Sequence, residues 1–296
     1  MNNRIDFRDQ IKKNKKKSFF LMLIVFITLI ALGFAISFAF SPEYFTIIMI
    51  LATIFSLGYI LITYNNSHKI AIASVGAKLA KKEKYPLYYG TVEALTIASG
   101  LPMPKLYTME SPQINAFASG KNPDNAVVCV TTGCLQKLER RELEGVLAHE
   151  LGHIANYDMK YMTLITVMVG MISIISQIFL RSLFFGGGRG GGDNDKAQII
   201  FMIIGIALAI LAPIVVYLIQ MSISRKREFA ADATAVKFTR YPTGLINALK
   251  KIKTDHSPEP KKVSKALAPL FIRPIRANLT STHPPLEKRI HTLERM

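Results

Sequence analysis

The sequence predicts an α+β membrane protein in which four transmembrane helices carry a cytoplasmic lobe of helices and a small β-sheet. Three observations point there. Half of the 296 residues are hydrophobic although the net charge is +17, a pairing that suits a membrane protein better than a soluble globule. Four apolar segments, at about 18–40, 45–63, 162–180 and 197–220, contain no Asp, Glu, Lys or Arg, and each approaches the ~20 residues a helix needs to cross the hydrocarbon core. The polar stretches around them mix helical and strand patterns.

The order of the segments gives four units. Residues 1–64 are a basic start and a membrane hairpin. Lys12, Lys13, Lys15, Lys16 and Lys17 precede the first span, whose apolar run exceeds the ~7–15 residues of a cleavable signal and so predicts a retained anchor. Ser41-Pro42-Glu43-Tyr44 leaves room only for a tight turn before the second span. Residues 65–160 form a cytoplasmic segment, 161–221 a second membrane pair, and 222–296 a second cytoplasmic segment. Orientation follows from Lys and Arg: seven precede the first span, eleven lie in 65–160 and sixteen after 224. Only Arg181, Arg189 and Lys196 separate the third and fourth spans. The positive-inside rule then puts both termini and the polar lobe in the cytoplasm of a multi-pass plasma-membrane protein. The positive charge marks topology and an anionic lipid surface, and it implies the lipid bilayer as partner, not nucleic acid.

Within 65–160, an amphipathic stretch at 71–84 predicts a helix. A second, at 87–99, stops at Gly100-Leu101-Pro102, a glycine stop followed by a proline. Three β-rich runs follow, at 105–110, 114–119 and 126–131, separated by turn residues, and make a small sheet. That sheet can receive a peptide along its edge or serve only as a packing layer. Cys129 and Cys134 sit in a reducing compartment at a spacing that fits neither a metal pair nor a redox pair, so they are packing residues. The loop at 186–192, all glycine except Arg189, lacks the ending of a phosphate loop and is a flexible linker.

The chemistry begins at Ala148-His149-Glu150-Leu151-Gly152-His153. Apolar Leu143, Val146 and Leu147 among charged helix formers predict a helix through this point. Two histidines four apart then share one face and can take neighbouring corners of a metal tetrahedron. In His-Glu-x-x-His the imidazoles hold zinc and the glutamate takes a proton from the attacking water, a metalloprotease pattern. The third span starts near residue 161, so the metal would lie close to the membrane surface. A catalytic zinc needs a third protein ligand. Glu228 and Asp232, four apart and bordered by alanines, fit a ligand and the carboxylate that orients a ligand imidazole. They also fit an exposed helix whose acids pair with Arg225 or Arg227.

Together, His149-Glu150-Leu151-Gly152-His153 and, two spans later, Arg227-Glu228-Phe229-Ala230-Ala231-Asp232 resemble the HtpX family of bacterial integral-membrane zinc metalloproteases. That family is related to the type I CAAX prenyl proteases. The resemblance takes in the hairpin, Asn156, the stretch Asn115-Ala116-Phe117-Ala118 and Thr282-His283-Pro284-Pro285. It implies a zincin-like lobe with one zinc per chain, held by His149, His153 and Glu228, with Glu150 as base. It also implies Asp232 and Asn156 in support, and Asn115, Ala116, Phe117 and Ala118 as a substrate-binding edge strand. His283 and Arg289 match residues that face the scissile carbonyl. The implied activity is hydrolysis of misfolded or damaged membrane proteins, or of peptides, at the cytoplasmic face, in quality control and stress response. Two alternatives stay open: a prenyl-protein endoprotease, and a non-enzymatic zinc scaffold or sensor.

Overall fold

A computed structural model describes residues 45–159, 227–258, 270–273 and 283–296, with residue 225 and isolated positions between 20 and 34 and between 203 and 210. The expected first, third and fourth spans, the 41–44 turn and the 186–192 loop lie wholly or largely outside the described residues. The second expected span begins α1 (Phe45–Ser74), a helix of 30 residues whose Ile47, Leu51, Ile54, Phe55 and Leu61 are exposed. Counted over the described residues, no helix is long and apolar enough to cross a membrane.

The lobe begins where α1 stops. Gly76 adopts a left-handed φ of 63°, which a residue without Cβ takes at little cost, and the chain leaves the helix. The helix expected over 71–84 therefore ends at Ser74, and β1 (Lys78–Leu79) follows. α2 (Pro86–Ser99) opens with proline in its first turn and closes on Gly100, also left-handed. Next come β2 (Lys105–Met109), β3 (Ala116–Ser119) and β4 (Val127–Thr131). The sheet has four strands, not three, in the order β1-β2-β4-β3. β2 and β4 run parallel, while β1 and β3 are antiparallel edges. β1 escapes a sequence reading because it is two residues long and exposed.

After the short α3 (Thr132–Lys137), α4 (Arg140–Ala155) starts with a reciprocal cap between Glu139 and Glu142, which satisfies amides that the helix itself leaves unpaired. Its apolar stripe, Leu143, Val146, Leu147, Leu151 and Ile154, packs into one core with Val128 and Val130 of the sheet and with Val92 and Leu95 of α2. Helical residues 227–239, here α5, and α6 (Pro242–Thr254) close over its other side. α7 (Leu286–Leu293) docks on α6 through Ile290 and Leu293.

Two glycines of α4 set how closely it meets its neighbours. A Cβ at Gly145 would stand 2.5 Å from the main-chain nitrogen of Leu245 in α6, and one at Gly152 would stand 3.0 Å from the Ala231 carbonyl oxygen in α5. Gly145→Ala should therefore destabilise the purified protein by about 1–3 kcal/mol through overpacking. Gly90→Ala, in α2 where an added Cβ meets nothing within 4 Å, should stabilise it by about 0.4–1 kcal/mol. Equilibrium unfolding in detergent measures both.

Candidate metal centre

The helical period puts His149 and His153 one turn apart on the face of α4 that meets α5, with their rings 4.7 Å apart, edge to face. The glycine at 152 lets α5 approach, and Glu228 enters from its first turn. His149 Nε2 lies 3.6 Å from Glu228 Oε2, and His153 Nε2 lies 3.5 Å from Glu228 Oε1. One donor atom from each of the three residues lies within 4.8 Å of the other two. Tetrahedral zinc at ~2.0–2.2 Å from its ligands holds them roughly 3.3–3.6 Å apart, so two imidazoles and one carboxylate in this arrangement fit a single zinc-sized cation. Both acids of α5 are buried, Glu228 at 4% and Asp232 at 0% exposure, which rules out the exposed acidic helix as an alternative.

Behind this trio lies a chain of charges. Asp232 Oδ1 stands 2.9 Å from His149 Nδ1. Because an ionised carboxylate only accepts, the proton sits on Nδ1 and the Nε2 lone pair faces the cluster. Arg289, on α7, donates from Nε and Nη2 to Asp232 Oδ2 and Oδ1 at 2.9 and 2.7 Å, and its Nη1 is 3.1 Å from Glu228 Oε2. It is fully buried, against the carboxylates of Glu228 and Asp232. His283, 2% exposed, brings Nδ1 to 3.2 Å from Glu228 Oε2. Asn156 donates to Thr234 Oγ1 at 3.3 Å, tying the end of α4 to α5. Asp158 joins the site without belonging to any motif read above. It is buried, with Oδ2 3.6 Å from His153 Nδ1 and Oδ1 3.5 Å from Arg227 Nε.

These neighbours set the protonation of the cluster. Burial pushes the Glu150 carboxyl up, against the pull of His149 and His153, which makes it a stronger base. Burial would also raise Glu228, but His283, Arg289 and the two imidazoles hold it well below the usual carboxylate range. For His153 burial would lower the imidazole, yet Asp158 and Glu228 outweigh it and push it up to about 10. Burial pushes the thiols of Cys129 and Cys134 far up, which keeps them inert.

At the proposed substrate edge, Asn115 and Ala116 are already engaged by the chain itself. Asn115 donates from Nδ2 to Arg273 O at 3.2 Å and accepts from Arg273 N at 3.0 Å, while Ala116 O accepts from Ile272 N at 3.0 Å. Phe117 turns its ring onto Phe271 at 4.9 Å. Ala116 and Ala118 point their main-chain groups away from β4, because Asn115 O accepts from Thr131 N and sides alternate along a strand. Of the four residues, Ala118 alone presents outward main-chain groups with no partner among the described residues.

A histidine pair, one buried and one partly exposed, and a buried glutamate around a cation-sized gap, with a second buried glutamate beside them, define a metal-dependent peptidase. The comparisons carry this to the family. Residues 89–296 match the family described as Peptidase family M48. A "Protease HtpX homolog" of Dictyoglomus thermophilum is 40% identical over 294 residues, covering 98% of this chain and 95% of the relative. One from Caldanaerobacter subterraneus is 42% identical and covers 95% of each chain. One from Listeria monocytogenes is 40% identical, with 97% and 99% covered. The chain belongs to peptidase family M48 and, within it, to the HtpX proteases. A crystal structure of S. mikatae Ste24p aligns with a TM-score of 0.47 at 20% identity over 94% of this chain, which spans 62% of that protein.

The protonated imidazole of His153 has a measurable consequence. With His153 held up to about 10, the metal-free cluster carries at least one proton at pH 7 that must leave when the metal enters. Metal affinity should therefore rise with pH from 6 toward 10 and fall on acidification, by roughly tenfold per pH unit for each proton released. Titration calorimetry of zinc into chelator-stripped protein, in two buffers of different ionisation enthalpy, should count one or more protons released per metal at pH 7.

Proposed function

We propose that this metalloprotease is a membrane-embedded zinc endopeptidase that cleaves misfolded or damaged membrane proteins at the cytoplasmic face. The convergence of His149, His153 and Glu228 beside buried Glu150 carries the reading. Zinc bound there supplies a Lewis acid that polarises a carbonyl and makes water easier to deprotonate. Glu150 takes the proton from the attacking water and returns it to the leaving amine. Asp232 keeps His149 in the binding tautomer, and Arg289 holds Asp232 and Glu228 in place. An extended peptide adds at the edge of β3 beside Ala118, its pairing limited on the Asn115 side by residues 272 and 273. The exposed apolar side chains of α1 and the basic bias of 65–160 and 222–296 support four spans, with the site and both termini on the cytoplasmic side.

Enzyme purified from carbonate-washed membranes tests this on a denatured model substrate. Glu150→Gln should keep zinc and lose about 10²–10⁴ in kcat, whereas Glu228→Ala should lose both zinc and activity, as chelation does. Full zinc and full activity in Glu228→Ala would move the third ligand elsewhere.

His283 separates from Arg289 in the same assay. His283 is buried within reach of Glu228; on the proposal that it donates to the developing oxyanion, His283→Ala should lower kcat by roughly 10²–10³ with zinc retained. Arg289→Met strips the counter-charge from two buried carboxylates and should cost about 3–5 kcal/mol of stability, with zinc lost as well. Near-normal kcat in His283→Ala would remove it from catalysis.

A further inference from the structure

His149 and His153 hold the same relation to Glu228, yet only His149 has an assigned support, the pair Asp232 and Arg289. His153 faces Glu228 with Nε2 at 3.5 Å. The opposite side of its ring, Nδ1, faces Asp158 Oδ2 at 3.6 Å. Asp158 is 2% exposed, and its other oxygen lies 3.5 Å from Arg227 Nε on α5. Arg227 is itself 6% exposed. Each imidazole therefore has a buried carboxylate behind it, and each carboxylate a buried arginine behind that.

The backbone is shaped to deliver Asp158. α4 ends with Asn156 as its cap, and Tyr157 takes φ 56°. A left-handed conformation is unusual for a side chain of that size and is held only where its surroundings demand it. Tyr157 N closes the turn by donating to Ile154 O at 3.1 Å. That reversal turns the next residue back beside the last turn of the helix, where His153 stands.

We propose that Asp158 is a positioning residue for the metal: its carboxylate fixes the His153 ring with Nε2 toward the cluster, and Arg227 holds the carboxylate in place. The inference rests on the zinc reading above. A carboxylate behind a ligand imidazole orients the ring and raises its basicity, and losing such a partner typically weakens metal binding 10–100-fold.

The test uses full-length protein in detergent, with zinc affinity measured by competition against a fluorescent chelator and the d–d absorption of the cobalt-loaded form as a report on ligand geometry. Asp158→Ala should weaken zinc 10–100-fold and shift the cobalt bands. Asp158→Asn, which keeps the shape and loses the charge, should fall between it and the wild type, and Asp158→Glu should recover part of the affinity. Arg227→Gln should weaken zinc less than Asp158→Ala. Zinc affinity within twofold of wild type together with unchanged cobalt bands in Asp158→Ala would reduce Asp158 to a packing role. If Asp158→Ala does not fold, unchanged affinity in Asp158→Asn overturns the proposal equally. Wild-type protein that binds no zinc removes the zinc reading and this one with it, an outcome distinct from both.

Discussion

Glu228 and Asp232 lie in the interior of the lobe beside two imidazoles and a third acid, Glu150; of the five side chains only His153 is partly exposed. Buried carboxylates without counter-charge cost several kcal/mol each. Arg289, also fully buried, offsets that cost by bonding both oxygens of Asp232 and reaching Glu228. On the far side Arg227 stands against Asp158. The cluster is thus a set of acids and imidazoles whose geometry is fixed by two cations, and a divalent metal adds positive charge where three carboxylates converge.

The scaffold serves that balance. Gly152 brings α5 close enough for Glu228 to meet both histidines, and Gly145 seats α6 against α4. α6 in turn carries α7, through Ile290 and Leu293 and an ion pair between Lys253 and Glu287 at 2.9 Å, and α7 delivers Arg289. The sheet backs α4 from the opposite side, and α2 is tied to that sheet by Tyr88, which donates its hydroxyl to Val128 O at 3.1 Å. Removing side-chain volume or adding it at these contacts acts on the metal site through helix positions rather than through the ligands themselves.

What the sequence revealed follows from period and residue type. His149, Glu150 and His153 are legible because a helical repeat fixes which residues share a face. Glu228 and Asp232 share the same spacing, but pairing them with a helix some 75 positions earlier needed the family resemblance, since distance along the chain carries no sign of contact. Asp158 was invisible: the turn that delivers it depends on a left-handed Tyr157, and tyrosine does not signal such a turn as glycine would. Arg289 is singled out by the resemblance, but its contacts with Asp232 and Glu228 are not legible, because a fully buried arginine runs against what charged residues ordinarily do. The edge of β3 was legible as strand, whereas its cover by residues 271–273 comes from a segment about 155 positions away with no pattern of its own. β1 was hidden behind Gly76, whose left-handed stop could have been read as the end of the helix.

The two ends of the ion network are separated along the chain as well as joined in space. His149 and Arg289 stand 140 positions apart, so a ribosome making this protein completes the histidine pair long before it supplies the guanidinium. During that interval α4 carries its two imidazoles and Glu150, but Glu228 and Asp232, once made, wait for the cation that makes their burial tolerable. Translation order thus keeps a protein-cutting centre unfinished until Arg289 has been laid down.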